Sequence, residues 1–100
     1  VGVEVVVVGL VFEWDPEKAN QNERKHGVSF NEALTVFADT LSRTIADPGH
    51  SHDEARHLEL GLSRRGRLLV VAFTERSDRI RIISARLATK SERRHYEEDT

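Results

Sequence analysis

Cysteine and methionine are absent from this chain of 100 residues, proline occurs twice, and aromatic side chains make up 6%. Without cysteine there is no disulfide framework, no thiolate metal site and no thiol nucleophile. A reducing cytosol is the compartment this composition fits, and the expected location is cytoplasmic. No apolar run is long enough to cross a bilayer, so no membrane partner is expected. The strongest candidate, the opening VGVEVVVVGLVF, is short and is interrupted by Glu4. It lacks the basic front and small-residue cleavage site of a secretory signal. The missing methionine at position 1 fits a valine start codon read literally, with translation beginning nearer Val8 or Val11. Residues 1–10 are therefore expected to be an extra or mis-assigned segment, and residues 11–100 a single domain. If translated, the segment extends an edge strand and exposes an apolar ribbon. A domain this small makes one modest core, and apolar surface left over belongs to a partner.

The net charge of −2 conceals an asymmetry. Residues 1–60 carry 5 basic and 11 acidic side chains, whereas residues 61–96 carry 10 basic and 3 acidic ones. Nine of those ten cations are arginine, whose planar fork matches phosphate oxygens in pairs. A basic half on an acidic protein points to a local anion site, with nucleic acid as its commonest occupant. The competing reading is a solvated face of ordinary ion pairs or a protein interface.

Punctuation divides the chain clearly. Asp15-Pro16 opens a helix that runs to about His26 and stops at Gly27. Ser29 and Glu32 read as a capping box, followed by an apolar stripe of Phe30, Ala33, Leu34, Phe37 and Leu41 that is expected in the core. The period then changes to that of strands: residues 41–46, 57–62, an entirely apolar central strand 68–74, and 79–85. Thr89 and Glu92 form a second capping box that opens a short final helix. The expected fold is α+β: two N-terminal helices, an antiparallel sheet of about four strands and a C-terminal helix.

Several side chains are candidates for chemistry. Strand parity without a bulge places Ser84 and Arg86 on the same face as Ile80 and Ile82, opposite Arg79 and Arg81. An arginine on the core side needs an anion or a carboxylate, so Arg86 is either a functional cation or a bridge to Glu13, Asp15 or Glu92. Glu75 and Arg76 sit where the central strand leaves the sheet; Glu75 is a general base or an anchor for an arginine. His26 lies at a helix end beside Lys25, where it is a proton carrier or only a cap. Tyr96 packs its ring on the sheet, stacks on a base or polarises a phosphate. Trp14 is read as a packing anchor, with stacking on RNA as the less favoured role. His50, His52, Asp53 and His57 look loosely like metal ligands but fit no zinc spacing, so no metal and no cofactor are expected.

Taken together, FEWDP, KHGVSF, TERSDRIRIISAR and the closing RR-x-Y-E resemble the BrnT toxins over about Val11 to Glu98. The resemblance implies a RelE-like fold and a type II toxin–antitoxin system. It implies a ribonuclease that blocks translation and is neutralised by a BrnA-type antitoxin, with operator DNA touched only through the antitoxin. A heterotetramer with two copies of each protein is implied too. Metal-free RNA cleavage needs a base, an acid and cations for the phosphoryl charge. On this reading Arg86, with Arg81 or Arg76, holds the phosphate, and His26, Glu75 or Lys25 exchanges protons. Arg64, Arg65, Arg67, Arg79 and Tyr96 bind RNA. The competing functions are a ParE-like gyrase poison, a cleavage-dead binding module, and a metal hydrolase built on His50, His52 and His57.

Overall fold

A computed structural model of the chain describes residues 2–7, 9–47, 49 and 55–98. Along it run β1 (Val3–Val7), β2 (Leu10–Trp14), α1 (Pro16–His26), α2 (Phe30–Ala33) and a 3-10 helix (Leu34–Ala38). After these come β3 (Arg43–Ala46), β4 (Arg56–Leu62), β5 (Leu68–Arg76), β6 (Arg79–Leu87) and α3 (Lys90–Glu98). The strands form one sheet in the order β1-β2-β6-β5-β4-β3. No helix among the described residues is long and apolar enough to cross a membrane.

The α+β class stands, but the sheet has six strands where about four are expected, and it is mixed. β2 runs parallel to β6, pairing Val11 with Arg79, Phe12 with Ile80 and Glu13 with Arg81. Residues 3–7 pair antiparallel with β2, and Val3, Val5 and Val7 pack against the core. The alternation of Phe12 and Trp14 toward the core is strand alternation, hidden because the next residues are so clearly a helix start.

Local rules account for α1. The Asp15 carboxylate accepts the Glu17 N–H at 2.8 Å, Pro16 occupies the first turn, and Gly27 closes the helix at φ 70°. The left-handed conformation at Gly27 lets its N–H reach the Glu23 carbonyl at 2.8 Å. Ala19, Asn22 and His26 share one helical face, and Asn22 is buried there. β2 leaves β6 after Glu13, so the outer edge of β6 beyond Arg81 lacks a strand neighbour. Asn22 fills that vacancy. Its amide donates to the carbonyls of Ala85 (2.8 Å) and Val28 (3.0 Å), and its oxygen accepts the Ala85 N–H (3.1 Å). Asn22→Ala is expected to cost about 2–3 kcal/mol, because it strands three buried backbone groups. Urea unfolding checks this; a loss below about 0.5 kcal/mol contradicts the edge-capping role.

The second helix is shorter than expected. Ser29 caps it through the Glu32 N–H at 3.0 Å, but the Glu32 side chain does not return to Ser29; it turns to Arg67 and Ser63. After Ala33 the helix tightens to 3-10 and ends at Asp39. Phe30, Ala33 and Leu34 are buried and Phe37 packs against the core, but the changed period leaves Leu41 52% exposed instead of in the core. Phe37 meets Phe12 and Phe73 edge-on, each at 5.1 Å, and Phe30 meets Trp14 at 5.9 Å. The 3-10 segment lies directly on β4. A Cβ on Gly61 would come within 2.9 Å of Val36 Cγ1 and 2.8 Å of Ser42 Cβ, so only glycine allows the approach.

One irregularity decides which side chains share a face. Phe73 pairs with Ile82 and Ala72 pairs with Ser84, so Ile83 is an extra residue in β6. The bulge reverses the parity. Ile82 and Ala85 face the core, whereas Ser84 and Arg86 fall on the opposite side with Arg79 and Arg81. The expected core-side placement of Arg86 is thus corrected.

Candidate nucleic-acid interface

The sheet has two unlike faces. Leu69, Val71 and Phe73 of β5 look toward α2 and the 3-10 helix. Leu68, Val70, Ala72, Thr74 and Arg76 look the other way. Among the described residues, α3 is the helix placed on this second face, across its Leu60–Val70–Arg86 end. Beyond α3 comes the uncharged row Leu58, Ala72 and Ser84, and past it the face carries charged side chains.

The register sets them in rows. One row crosses five strands: Arg56 (β4), Thr74 (β5), Arg81 (β6), Glu13 (β2) and Glu4 (β1). The row beside it carries Arg76, Arg79 and Val11. Directly opposed residues on such a sheet stand about 5 Å apart at Cβ, so these groups form one electrostatic unit. Its two ends differ. Arg81 Nη1 donates to Glu13 Oε2 at 3.0 Å, and Arg79 pairs with Glu4 and lies 3.8 Å from Glu13. The Glu4 carboxylate, held by its hydrogen bond from Arg79, keeps the Arg79 guanidinium above its ordinary pKa. Arg56 has no side-chain hydrogen bond or ion pair to another described residue. Among the described residues the face is therefore paired off toward β1, while toward β4 it carries Arg56 without a carboxylate partner.

The other sequence candidates scatter around this face. Arg86 shares it, but Glu92 of α3 grips Nη1 at 2.8 Å and Nη2 at 2.9 Å. This is the bridging role that competed with the functional one in the sequence. The Arg86 fork, helped by Thr89, pulls the Glu92 carboxyl down to about 2 against the cost of burial. Glu92 also accepts the Thr89 N–H at 2.8 Å while Thr89 Oγ1 accepts the Glu92 N–H at 3.2 Å, so the second capping box is complete. Glu75 pairs with Ile80 and points to the opposite side of the sheet from Arg76 and Arg81. Lys25 and His26 line an open cavity of about 310 Å³ together with Ile83 and Ser84, which brings them to the margin of the arginine face.

Arg64, Arg65 and Arg67 sit at the β4–β5 turn, at the far end of that hairpin from Arg56 and Arg76. Arg67 is committed: its Nε donates to Glu32 at 2.9 Å, its Nη2 bonds the other Glu32 oxygen, and the same nitrogen donates to the Gly27 carbonyl at 3.0 Å. Arg65 lies 3.5 Å from Glu32, and Arg64 is exposed. The Tyr96 ring is buried, and its hydroxyl donates to Asp39 Oδ2 at 2.6 Å. Burial and the Asp39 charge push this phenol up to about 12, so it holds its proton at neutral pH. Asp39 pays a burial penalty but is held below its ordinary value by Tyr96 and the Leu62 and Leu41 N–H groups. The aspartate therefore ties α3 to the start of β3 and the end of β4. Trp14 is buried, as expected of an anchor.

His50, His52 and Asp53 lie outside the described residues. His57 stacks on Phe73 at 5.6 Å on the core side, with a buried Nδ1 that has no partner among the described residues. Among the described residues no three His, Asp or Glu side chains gather as metal ligands. The sequence reading missed Arg56, Thr74 and Asn22. Arg56 was hidden in the acidic half, although its strand parity with Leu58 and Leu60 places it on the arginine face. Asn22 was signalled only by its helical spacing from Ala19.

The fold and the site define a small α+β domain whose mixed sheet carries Arg76, Arg79 and Arg81 on the face away from the core. Residues 14–92 match the family model described as the ribonuclease toxin BrnT of type II toxin–antitoxin systems. The chain belongs to the BrnT family. Its fold is similar to the crystal structure of the Brucella abortus ribonuclease toxin BrnT, with TM-score 0.56 and 21% identity. That match covers 77% of this chain and 94% of the Brucella chain. No curated protein matches.

Proposed function

We propose that this BrnT family member is a metal-independent endoribonuclease whose RNA lies across the arginine face. The observation that carries the reading is the register that lines up Arg76, Arg79 and Arg81 on the sheet face away from the core. In the reaction the 2′-oxygen attacks the neighbouring phosphorus, and the bond to the 5′-oxygen breaks. The 2′-hydroxyl proton leaves to a base, and the departing 5′-oxygen takes one up. Arg81 and Arg76 offset the charge that builds on the phosphoryl oxygens. His26, with Lys25 beside it, is the proton carrier in this reading, and Ser84 is where their cavity meets the face. Arg86 holds α3 in place beside the site. Arg64 and Arg65, on the exposed turn, extend the basic surface for the RNA strand.

The protein acts in the cytoplasm and is silenced by a BrnA-type antitoxin that makes the operator contacts, in a heterotetramer with two copies of each chain. Acidic antitoxin segments suit the β4 end of the face, where Arg56 stands. Expression in bacteria tests the function. The reading requires growth arrest with fragmented RNA, relieved by the cognate antitoxin. Arrest with intact RNA and gyrase-dependent DNA breaks would replace it with a ParE-like poison. Unimpeded growth would mark a cleavage-dead binding module.

A further inference from the structure

Thr74 is the unexplained residue of the arginine face. It ends the apolar series Leu68 to Phe73, is 2% exposed, and its Oγ1 is buried with no hydrogen-bond partner among the described residues. Valine has the same shape and β preference, and at this position it would leave no stranded hydroxyl. A local rule broken without structural return marks a functional position. The register gives Thr74 two neighbours on its own face, Arg56 on one side and Arg81 on the other. Adjacent strands are about 4.8 Å apart, so the two arginines flank the hydroxyl from about 10 Å across, a span that two guanidinium forks can close on a single phosphate. Arg81 spends one donor on Glu13, and Arg56 has no described partner. Arg79 is already matched by Glu4.

Resting on the RNA reading above, we propose that Arg56, Thr74 and Arg81 form one phosphate seat. The two guanidinium forks grip the non-bridging oxygens, and the Thr74 hydroxyl donates to the oxygen that faces the sheet. The RNA backbone is thereby placed toward β4 and away from the paired-off β1 end. The Thr74 hydroxyl gains its missing partner only when the seat is filled.

Binding of a fluorescent 2′-O-methyl RNA, which lacks the nucleophile, tests this alongside melting temperature. Arg56→Ala is expected to weaken binding about 10-fold and to lower the salt dependence by about one counterion. Thr74→Val is expected to weaken binding about 3-fold while keeping or raising Tm, and Thr74→Ser to restore affinity. Arg24→Ala, which removes one positive charge from α1, is the control and is expected to change binding less than 2-fold. Unchanged affinity in Arg56→Ala and Thr74→Val overturns the seat, as does a loss equalled by Arg24→Ala. Tripolyphosphate separates the seat from the RNA reading. A Tm rise with this probe that disappears in Arg56→Ala, in a protein that binds no RNA, would keep the seat and discard RNA. No response to either probe would discard both.

Discussion

Arg67→Ala is expected to destabilise the fold by about 2–4 kcal/mol and lower Tm by about 10–20 °C, the largest effect of any single arginine removal. The reason is Glu32, a carboxylate only 5% exposed beneath the β4–β5 turn. It is satisfied by Arg67 at both oxygens and by the Ser63 hydroxyl at 2.7 Å. The hydrogen bond from Arg67 outweighs the burial penalty and holds the Glu32 carboxyl below 4.5. Without Arg67 a buried charge loses its counterion, and the Gly27 carbonyl at the end of α1 loses a donor as well. Arg65→Ala is the contrast: that side chain is 68% exposed at 3.5 Å from Glu32, so its removal is expected to cost about 0.5 kcal/mol or less. The sign with pH follows. A carboxyl whose folded pKa is depressed stabilises the protein above its unfolded value and loses that contribution as pH falls through the folded value. The gap between wild type and Arg67→Ala is therefore widest at neutral pH and narrows below 4.5. Equal unfolding free energies for the two at pH 7 would contradict this account.

Arg86→Ala is expected to be destabilising too, by about 1–3 kcal/mol, while keeping RNA cleavage per folded molecule within about 5-fold of wild type. Both terminal nitrogens of Arg86 are occupied by Glu92, and the pair fastens the first turn of α3 to the end of β6. Glu92→Gln at neutral pH should lose a similar amount. The Glu92 carboxyl is depressed to about 2, so the stability it supplies is complete above 4.5 and disappears between there and about 2. Chemical denaturation from neutral to acid pH should show the wild type converging on both variants across that window. A 100-fold loss of cleavage in Arg86→Ala at a temperature where it stays folded would return Arg86 to the reacting phosphate.

Much of this molecule follows from short-range rules visible in the chain. The Asp15-Pro16 start, the Gly27 stop and the complete Thr89 capping box are local chemistry and need no tertiary knowledge. β5 reads as the central strand because both faces of it are apolar. What escaped is non-local. The parallel pairing of β2 with β6 joins residues about 70 apart in sequence, and no local pattern encodes it. The bulge at Ile83 is one residue that reverses the placement of everything after it in β6. Glu32 fits a capping box by spacing, but a guanidinium supplied from the β4–β5 turn competes successfully for it. The arginine-rich half points to an anion surface but does not separate its members. Arg67, Arg86 and Arg81 are each paired with a carboxylate (Glu32, Glu92 and Glu13), while Arg56, from the acidic half, stands beside Thr74 on the arginine face with no side-chain partner among the described residues.

The measurement closest to the central claim is cleavage of a defined RNA by the purified chain in EDTA, with Arg81→Ala in parallel. The account predicts that the wild type cuts without added metal, and that Arg81→Ala, folded to the same extent, cuts about 100-fold more slowly. Cleavage by Arg81→Ala at the wild-type rate, or none by the wild type, would contradict it.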